Sequence, residues 1–215
     1  MALQVIKLFQ KIFKKCDLDL YVVPYKCISN RTGDERLLGG IIECIPNSYS
    51  RDQLGKAFEI DLHKYFLKRY GSETSKGFQE ARLNFTKSLA AYCVVSYILQ
   101  IKDRHNGNIM IDENGHLIHI DFGFIFDWSP GRDMRFESAN FKLTQEFIDI
   151  LGGDPQAEAF KFFISKVQQG FLAVREHAAE IQNLVELMWY SGYPCFKPAS
   201  LDNLNMRFMK DFNDF

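Results

Sequence analysis

The sequence predicts an α+β fold in which a short β-rich segment precedes a mainly helical body. Two apolar segments, residues 20–29 and 39–50, are separated by a polar, glycine-bearing stretch and indicate strands joined by a loop. From Ser50 onward, apolar residues recur mostly at helical spacing. A further pair of short apolar runs flanks Asn114-Gly115, which is the strongest short-range signal for a hairpin.

The first elements follow directly from this pattern. Near the start of the chain, five apolar residues fall on one helical face and predict an amphipathic helix rather than a targeting peptide: Val5, Ile6, Phe9, Ile12 and Phe13. The strand that begins near residue 39 should end at Pro46, because proline lacks the N–H that a strand ladder needs.

The helical body is predicted in several pieces. One helix should cover residues 50–71 and stop at Gly71, and a helix that is apolar around most of its circumference should cover residues 80–101. Past residue 141 the pattern predicts four more helices, at about 144–151, 155–174, 176–191 and 200–212.

The composition excludes several classes of protein. A chain of 215 residues with 47% hydrophobic content can bury a sizeable core, and its net charge of −1 predicts no nucleic-acid partner. The five cysteines contain no C-x-x-C pair, which favours reduced thiols in a cytosolic chain over a disulfide or zinc framework. The longest apolar run, residues 89–101, is too short to span a bilayer.

The predicted hairpin brings two polar residues together at its open end. If Asn114-Gly115 is a two-residue loop, Asn108 directly faces Asp121, with Cβ atoms about 4.5–5.5 Å apart. An amide oxygen and a carboxylate at this spacing suit Mg²⁺, which is usually held by one or two protein oxygens, substrate phosphates and water. The sequence therefore predicts that Asn108 and Asp121 bind Mg²⁺.

The residues around the hairpin carry the signature of a phosphotransferase. Asp121-Phe122-Gly123 matches the metal-binding D-F-G of kinases, and Asp103 precedes Asn108 by five residues, as in the kinase catalytic loop. The triplet is inverted, since it reads Asp103-Arg104-His105. The string DRHNGNIM followed by GHLIHIDFGF resembles the phosphoinositide 3-/4-kinase superfamily, and most closely its type III phosphatidylinositol 4-kinases.

Different segments resemble different forms of that group. The segment IECIPNSYSRDQLG looks more like the alpha form. AAYCVVSYILQ and SPGRDMRFESANFKLTQEFIDILGG look at least as much like the beta form. The alpha form is slightly favoured.

The resemblance implies a protein-kinase-like lipid kinase core. Residues 1–47 would be a remnant of the β-rich N-lobe, with a helix and the hinge strands. Residues 48–215 would be the helical C-lobe, with its catalytic loop at 103–110 and its activation loop at 121–143.

The resemblance also assigns roles to individual residues. The Glu43 carbonyl and the Ile45 N–H would bind the adenine of ATP at the hinge. Either Asp103 or His105 would accept or orient the proton of the attacking hydroxyl, and the resemblance does not decide between them. The implied substrate is phosphatidylinositol in a membrane surface. A cytoplasmic protein, peripheral on the plasma membrane or Golgi and bound by regulatory proteins, would fit this role.

The loop from residue 124 to 143 should read the lipid headgroup. Its formal charges cancel, with Arg132, Arg135 and Lys142 set against Asp127, Asp133 and Glu137. Several extra phosphates on a headgroup would call for a cationic cluster. We therefore expect phosphatidylinositol without further phosphates as the substrate, with Arg132 or Arg135 as contacts.

The sequence departs from the superfamily in one respect. The superfamily carries a phosphate-covering loop and a strand lysine before this point, and the sequence has no G-x-G-x-x-G. The chain is therefore expected to be an internal portion of a kinase, inactive by itself. Two alternatives stay open: a protein Ser/Thr kinase of the phosphoinositide-kinase-related type, and a non-catalytic fragment that docks a partner.

Overall fold

A computed structural model describes residues 1–31, 38–132, 137 and 139–209, and these residues form eight α-helices and five strands. The helices are α1 (Ala2–Lys15), α2 (Arg51–Phe58), α3 (Leu62–Tyr70), α4 (Lys76–Leu99), α5 (Gln145–Ile150), α6 (Glu158–Glu176), α7 (Ala178–Trp189) and α8 (Ser200–Arg207). The strands are β1 (Cys27–Arg31), β2 (Leu38–Ile42), β3 (Ser48–Ser50), β4 (Ile109–Asp112) and β5 (Leu117–His119). The predicted α+β class is confirmed.

Helix α4 is the central element of the fold. Ser75 caps its N-terminus by accepting a hydrogen bond from the Phe78 N–H at 3.2 Å. Its sides pack against α3, α6, α8 and β5, so that residues such as Phe85 and Leu89 are fully buried. As a result, α4 delivers the chain to the Asp103 loop from a rigid core, as its sequence predicts.

Helix α1 is confirmed, and its apolar face joins this same core. Its five predicted face residues are all buried, and the helix packs against α6 and α7. The packing thus groups α1 with the helical body. The boundary at residue 47 stays a prediction.

The strands are shorter than predicted and form two sheets. Strand β1 begins only at Cys27, and β1 pairs with β2 in an antiparallel hairpin. Strand β2 ends at Ile42, earlier than the predicted Pro46. Residues 48–50 instead form β3, which pairs with β4 in a second sheet of order β3-β4-β5. This long-range pairing joins residues 48–50, which follow the predicted hinge, to the helical body.

The predicted helix over residues 50–71 is wrong, because the chain breaks between α2 and α3. Ser50 and Gln53 form a capping box at the start of α2, and Glu59 at its end has a positive φ of 50°. Asp61 then caps α3 through the Lys64 N–H at 2.7 Å. No described helix is long and apolar enough to cross a membrane.

The four later helices are confirmed, with ends that shift by a few residues. Helix α6 starts at Glu158 and continues to Glu176, so it begins and ends later than predicted. Helix α8 ends at Arg207, before the predicted end at residue 212, which lies outside the described residues.

Candidate functional site

The predicted catalytic loop leaves α4 through an abrupt change of backbone direction. Gln100 ends the helix with a left-handed conformation, and Asp103 has a positive φ of 59°. Between them, the Lys102 N–H donates to the Phe124 carbonyl at 2.9 Å, and the Lys102 ammonium donates to the Phe126 carbonyl. The start of the loop is thereby tied to the segment that follows D-F-G.

Arg104 joins the loop to the D-F-G segment. Its buried guanidinium donates to the carbonyls of Lys102 at 2.9 Å and Ile120 at 2.6 Å, and also to the carbonyl of Asp121. Burial lowers the pKa of Arg104, whereas Asp121 and Asp103 raise it. An arginine remains charged despite such a shift, because its unperturbed pKa lies far above neutral pH. Arg104 is therefore a charged structural link, and its sequence position alone did not specify these partners.

The two candidate proton acceptors lie next to each other. His105 Nε2 is 4.0 Å from Asp103 Oδ2, and His105 is exposed whereas Asp103 is half-buried. The Gly107 N–H donates to His105 Nδ1 at 3.0 Å, so in the neutral ring the proton lies on Nε2, facing Asp103. A Cβ on Gly107 would lie 2.9 Å from the His105 ring, which explains why glycine suits this close approach.

The predicted facing of Asn108 and Asp121 is wrong. The ladder pairs Ile109 with His119 and continues through a hydrogen bond from the Ile120 N–H to the Asn108 carbonyl at 3.1 Å, so Asn108 faces Ile120. The reason is the loop, which has three residues (113–115) instead of two. In it, the Gly115 N–H donates to Asp112 and Gly115 has φ of 87°, as in a turn followed by a bulge.

The structure nevertheless shows the burial and the hydrogen bonds of both predicted metal ligands, Asn108 and Asp121. Asn108 is buried, and its amide nitrogen donates to the Asp103 carbonyl at 2.9 Å, which leaves the amide oxygen as the atom suited to a cation. Asp121 is exposed and has a positive φ of 57°, which redirects its side chain from the regular strand alternation. Its Oδ1 accepts a hydrogen bond from the Gly123 N–H at 3.3 Å. The residue types fit Mg²⁺.

Two residues of the predicted activation loop make three hydrogen bonds with the catalytic loop, and sequence reasoning missed all three. The Lys142 ammonium donates to the Arg104 carbonyl at 2.8 Å and to Asn106 Oδ1 at 3.0 Å. The Glu137 carboxylate accepts from the Asp103 N–H at 3.2 Å. Burial lowers the pKa of Lys142, and Glu137 and Glu146 oppose that shift. Lys142 and Glu137, two of the charged residues in the loop predicted to recognise the headgroup, thus form hydrogen bonds with the catalytic loop.

The predicted hinge residues line a cavity. This cavity has a volume of 260 Å³, and its walls include Glu43, Ile45 and Ile118. The Glu43 N–H donates to the Lys26 carbonyl at 2.8 Å, but the Lys26 N–H donates to the Glu43 carboxylate at 2.7 Å instead of to its carbonyl. The Glu43 carbonyl therefore does not complete the β1–β2 ladder at this point and is suited to another donor.

Tyr25, which the sequence did not single out, connects the cavity to the D-F-G segment. Its ring lines the cavity and stacks on Phe122 at 6.2 Å between centroids, and its hydroxyl accepts from the Asp121 N–H at 3.2 Å. Burial raises the pKa of Tyr25, so the phenol stays protonated near neutral pH. The hinge cavity and the candidate metal ligand are thus adjacent. Of the predicted headgroup contacts, Arg135 and the side chain of Arg132 lie outside the described residues.

The fold and these residues define the class of the protein. A helical body, a cavity lined by the predicted hinge residues and a D-R-H loop joined to D-F-G are consistent with a kinase-like catalytic domain. The comparison with known families agrees, since the family described as phosphatidylinositol 3- and 4-kinase matches residues 1–198. The chain belongs to this family.

The relatives are phosphatidylinositol 4-kinases by name. The chain is 46% identical over its whole length to "Phosphatidylinositol 4-kinase STT4" of Saccharomyces cerevisiae, of which it covers 11%. It is 43% identical over its whole length to "Phosphatidylinositol 4-kinase alpha 1" of Arabidopsis thaliana, covering 10% of it. To "Phosphatidylinositol 4-kinase beta" of Xenopus laevis it is 43% identical over 97% of the chain, covering 25% of that protein.

These matches confirm the resemblance found in the sequence. The alpha-type relatives are 42–48% identical to the chain, which supports the slight preference for the alpha form. The chain spans only about a tenth of the length of the yeast and plant relatives.

Proposed function

We propose that the protein to which this chain contributes transfers the γ-phosphate of ATP to the 4-hydroxyl of phosphatidylinositol, giving phosphatidylinositol 4-phosphate. The observation that carries the proposal is the junction made by Arg104, which holds the D-R-H loop and Asp121 as one unit. Tyr25 then joins this unit to the hinge cavity. In phosphoryl transfer the protein mainly positions groups and offsets developing charge, and such a unit suits that task.

The nucleotide would lie between the hinge and the D-F-G segment. The Glu43 carbonyl would accept from the adenine amino group, and the Ile45 N–H would donate to the ring. The carbonyl left out of the β1–β2 ladder supports the first contact.

The metal would lie at the phosphate end of the nucleotide. Asn108 Oδ1 and the Asp121 carboxylate would hold Mg²⁺, which would offset charge on the transferring phosphoryl group. Arg104 bonds to the backbone carbonyl of Asp121 and the Gly123 N–H donates to its carboxylate, and these two contacts would help to position this ligand.

Asp103 and His105 would face the attacking hydroxyl. Because His105 Nδ1 already accepts from Gly107 and its Nε2 carries the proton, the free carboxylate of Asp103 is the better placed acceptor in this arrangement. His105 would then orient the Asp103 carboxylate and the attacking hydroxyl. We expect Asp103→Asn to lower kcat more than His105→Gln in the complete kinase. The reverse order would make the imidazole the acceptor.

The hydrogen bonds of Glu137 and Lys142 refine the argument about the lipid headgroup. Glu137 and Lys142 bond to the catalytic loop, which removes one charge of each sign, so that the formal charges of Arg132 and Arg135 still balance those of Asp127 and Asp133. A balanced loop would give little neutralisation for added phosphates, which supports phosphatidylinositol itself as the substrate. The enzyme would then act at a membrane surface, as a cytoplasmic peripheral protein of the plasma membrane or Golgi with regulatory protein partners.

Product analysis with mixed lipid vesicles tests the proposal. The complete kinase, given ATP and Mg²⁺, should form phosphatidylinositol 4-phosphate, and Asp133→Lys should raise turnover of phosphorylated headgroups relative to phosphatidylinositol. Phosphatidylinositol 3-phosphate as the main product would refute the assigned position. Phosphorylation of peptides but not lipid would favour a protein kinase instead.

A further inference from the structure

Three potential metal ligands meet at the junction of α1, α6 and α7, and none of them belongs to the proposed kinase site. One ligand atom each from Cys16, Glu176 and His177 lies within 4.8 Å of the other two. Among the described residues, this is the one group of three or more His, Cys, Asp and Glu side chains close enough to share an ion. Because about 160 positions separate Cys16 from the other two, only the fold brings the cluster together.

The ligand types select the ion. Zinc is bound by thiolate at about 2.3 Å and by imidazole or carboxylate at about 2.0–2.2 Å. Ligand atoms around a tetrahedral ion with these bonds lie roughly 3.4–3.6 Å apart, so the cluster needs to contract by only about 1 Å. Calcium and magnesium prefer oxygen ligands, and the thiol and imidazole therefore disfavour them.

The His177 ring is already fixed in a tautomer that suits a metal. Its Nδ1 lies 3.0 Å from the Ala173 carbonyl oxygen, which can only accept, so Nδ1 carries the hydrogen. In the neutral ring, the lone pair is then on Nε2. A backbone carbonyl that holds one nitrogen of a histidine is a common outer partner in zinc sites, because it fixes the ring and raises its basicity.

The C-terminal ends of α1 and α6 contribute an electrostatic field that favours a cation at this cluster. Cys16 is the C-cap of α1 and His177 is the C-cap of α6. Each helix C-terminus carries about half a negative elementary charge, so two such ends favour a cation here. The N-terminus of α7 and the nearby Lys15 oppose this field. Lys15, however, pairs with Glu180 at 3.6 Å, which partly offsets its charge.

We propose that Cys16, Glu176 and His177 form a zinc site that ties the end of α1 to the α6–α7 junction. The ion would take the Cys16 sulfur as thiolate and release its proton to solvent, and a water molecule would complete a tetrahedral set. Because the site exists only in the folded chain, zinc would stabilise α1 against the helical body. This site is independent of phosphoryl transfer.

Metal titration of the reduced 215-residue chain tests the proposal. In competition with a fluorescent zinc chelator, the chain should bind one Zn²⁺, and Cys16→Ser and His177→Gln should each weaken that binding at least about tenfold. Co²⁺ should give a thiolate charge-transfer band and the strong visible bands of a tetrahedral site. Cys27→Ser, which removes an exposed thiol on β1, and Glu158→Gln, which removes an exposed carboxylate at the opposite end of α6, should bind like the parent.

Two results would overturn the site. One is equal zinc affinity in the parent and in Cys16→Ser, and the other is a cobalt spectrum without the thiolate band. If Cys16→Ser does not fold, Glu176→Gln decides the matter, because Glu176 is exposed and its replacement should leave the fold intact. Unchanged affinity in that variant would mean that the carboxylate is not a ligand and that the three-residue site is wrong.

Discussion

The two halves of the proposed nucleotide site are held in place very differently. In the proposed catalytic half, Arg104 is only 4% exposed and bonds to three backbone carbonyls, while Lys142 bonds to the same loop. The hinge half continues from the β1–β2 hairpin, where Ile28, Ile41 and Ile42 are 61–69% exposed. The proposed phosphate end is thus organised by internal contacts of the chain, whereas the described residues leave apolar side chains near the proposed adenine end exposed.

This difference predicts where substitutions act. Changes in the catalytic half should alter chemistry and stability together, because the reacting groups and the structural links share one loop. Changes on the exposed hairpin should have little effect on the folding of this chain.

The largest effect should come from the candidate metal ligand. Asp121→Ala in the complete kinase should lower Mg²⁺-dependent turnover by about a hundredfold or more, because charge on the transferring phosphoryl group would lose its partner. The check is a kinase assay across Mg²⁺ concentrations. Asp52→Ala on α2, where Asp52 pairs with exposed Lys56, is the matched control. Equal nucleotide affinity and turnover in the Asp121 variant would remove the metal assignment.

Breaking the Arg104 link should cost the most stability. Arg104→Met keeps the length of the side chain but leaves the carbonyls of Lys102, Ile120 and Asp121 without this donor, so the free energy of unfolding should fall by about 2–4 kcal/mol. Urea unfolding measures this loss. Arg69→Met, at an exposed position on α3, should change it by less than about 1 kcal/mol. A similar loss of unfolding free energy in both variants would contradict the inference that the contacts of Arg104 hold the catalytic half in place.

Lys142 should act on rate more than on binding. Lys142→Met frees the Arg104 carbonyl and Asn106 from their partner, and kcat should fall about tenfold while the KM for ATP stays nearly constant. Lys142→Arg, which keeps a charged donor, should recover part of kcat. Lys161→Met on α6 removes an exposed lysine as a control. A rise in KM alone would place Lys142 in nucleotide binding instead.

His119 should make the catalytic half sensitive to acid. It is buried against Tyr92, and burial together with Arg104 and Lys142 lowers its pKa well below the usual value of 6.5. The unfolded chain takes up a proton below about pH 6.5 that the folded chain does not. This contribution to stability is therefore complete above that pH and is lost as pH falls, by up to about 1.4 kcal/mol per unit.

Urea unfolding at pH 7 and pH 5.5 measures that slope. His119→Phe should reduce the dependence on pH, whereas His63→Gln, on the surface pair with Glu73, should keep it. A slope that is unchanged in the His119 variant would assign the acid sensitivity to other groups.

The smallest effect on stability is expected on the hairpin. Ile28 and Ile41 are paired across β1 and β2 and are both exposed, so Ile28→Thr with Ile41→Thr should change the free energy of unfolding by only about 0.5 kcal/mol. The same pair of changes should raise the solubility of the isolated chain, because exposed apolar patches promote association. Static light scattering measures the association. A large loss of stability would show that the hairpin is as firmly held as the catalytic half.

Local patterns predicted much of the fold. The apolar face of α1, the all-round apolar character of α4 and the apolar periodicity of the later helices depend on neighbours a few positions away, and these elements appear with small shifts at their ends. The D-R-H loop and D-F-G likewise point to kinase chemistry through their residue types, their spacing and their resemblance to the phosphoinositide 3-/4-kinase superfamily. The break between α2 and α3 was missed, since its left-handed residue is Glu59 instead of a glycine.

The sequence by itself determined the class of protein, the central helix and the identity of the loop that carries Asp103 and Asp121. The tertiary structure decided which atoms meet. A three-residue turn shifted the hairpin register by one, because Gly115 takes a bulge conformation that the dipeptide signal does not distinguish from a two-residue loop. Contacts such as Lys142 with Arg104, and Cys16 with His177, join residues far apart in the chain. Packing of the whole body fixes such pairs, and no local pattern records them.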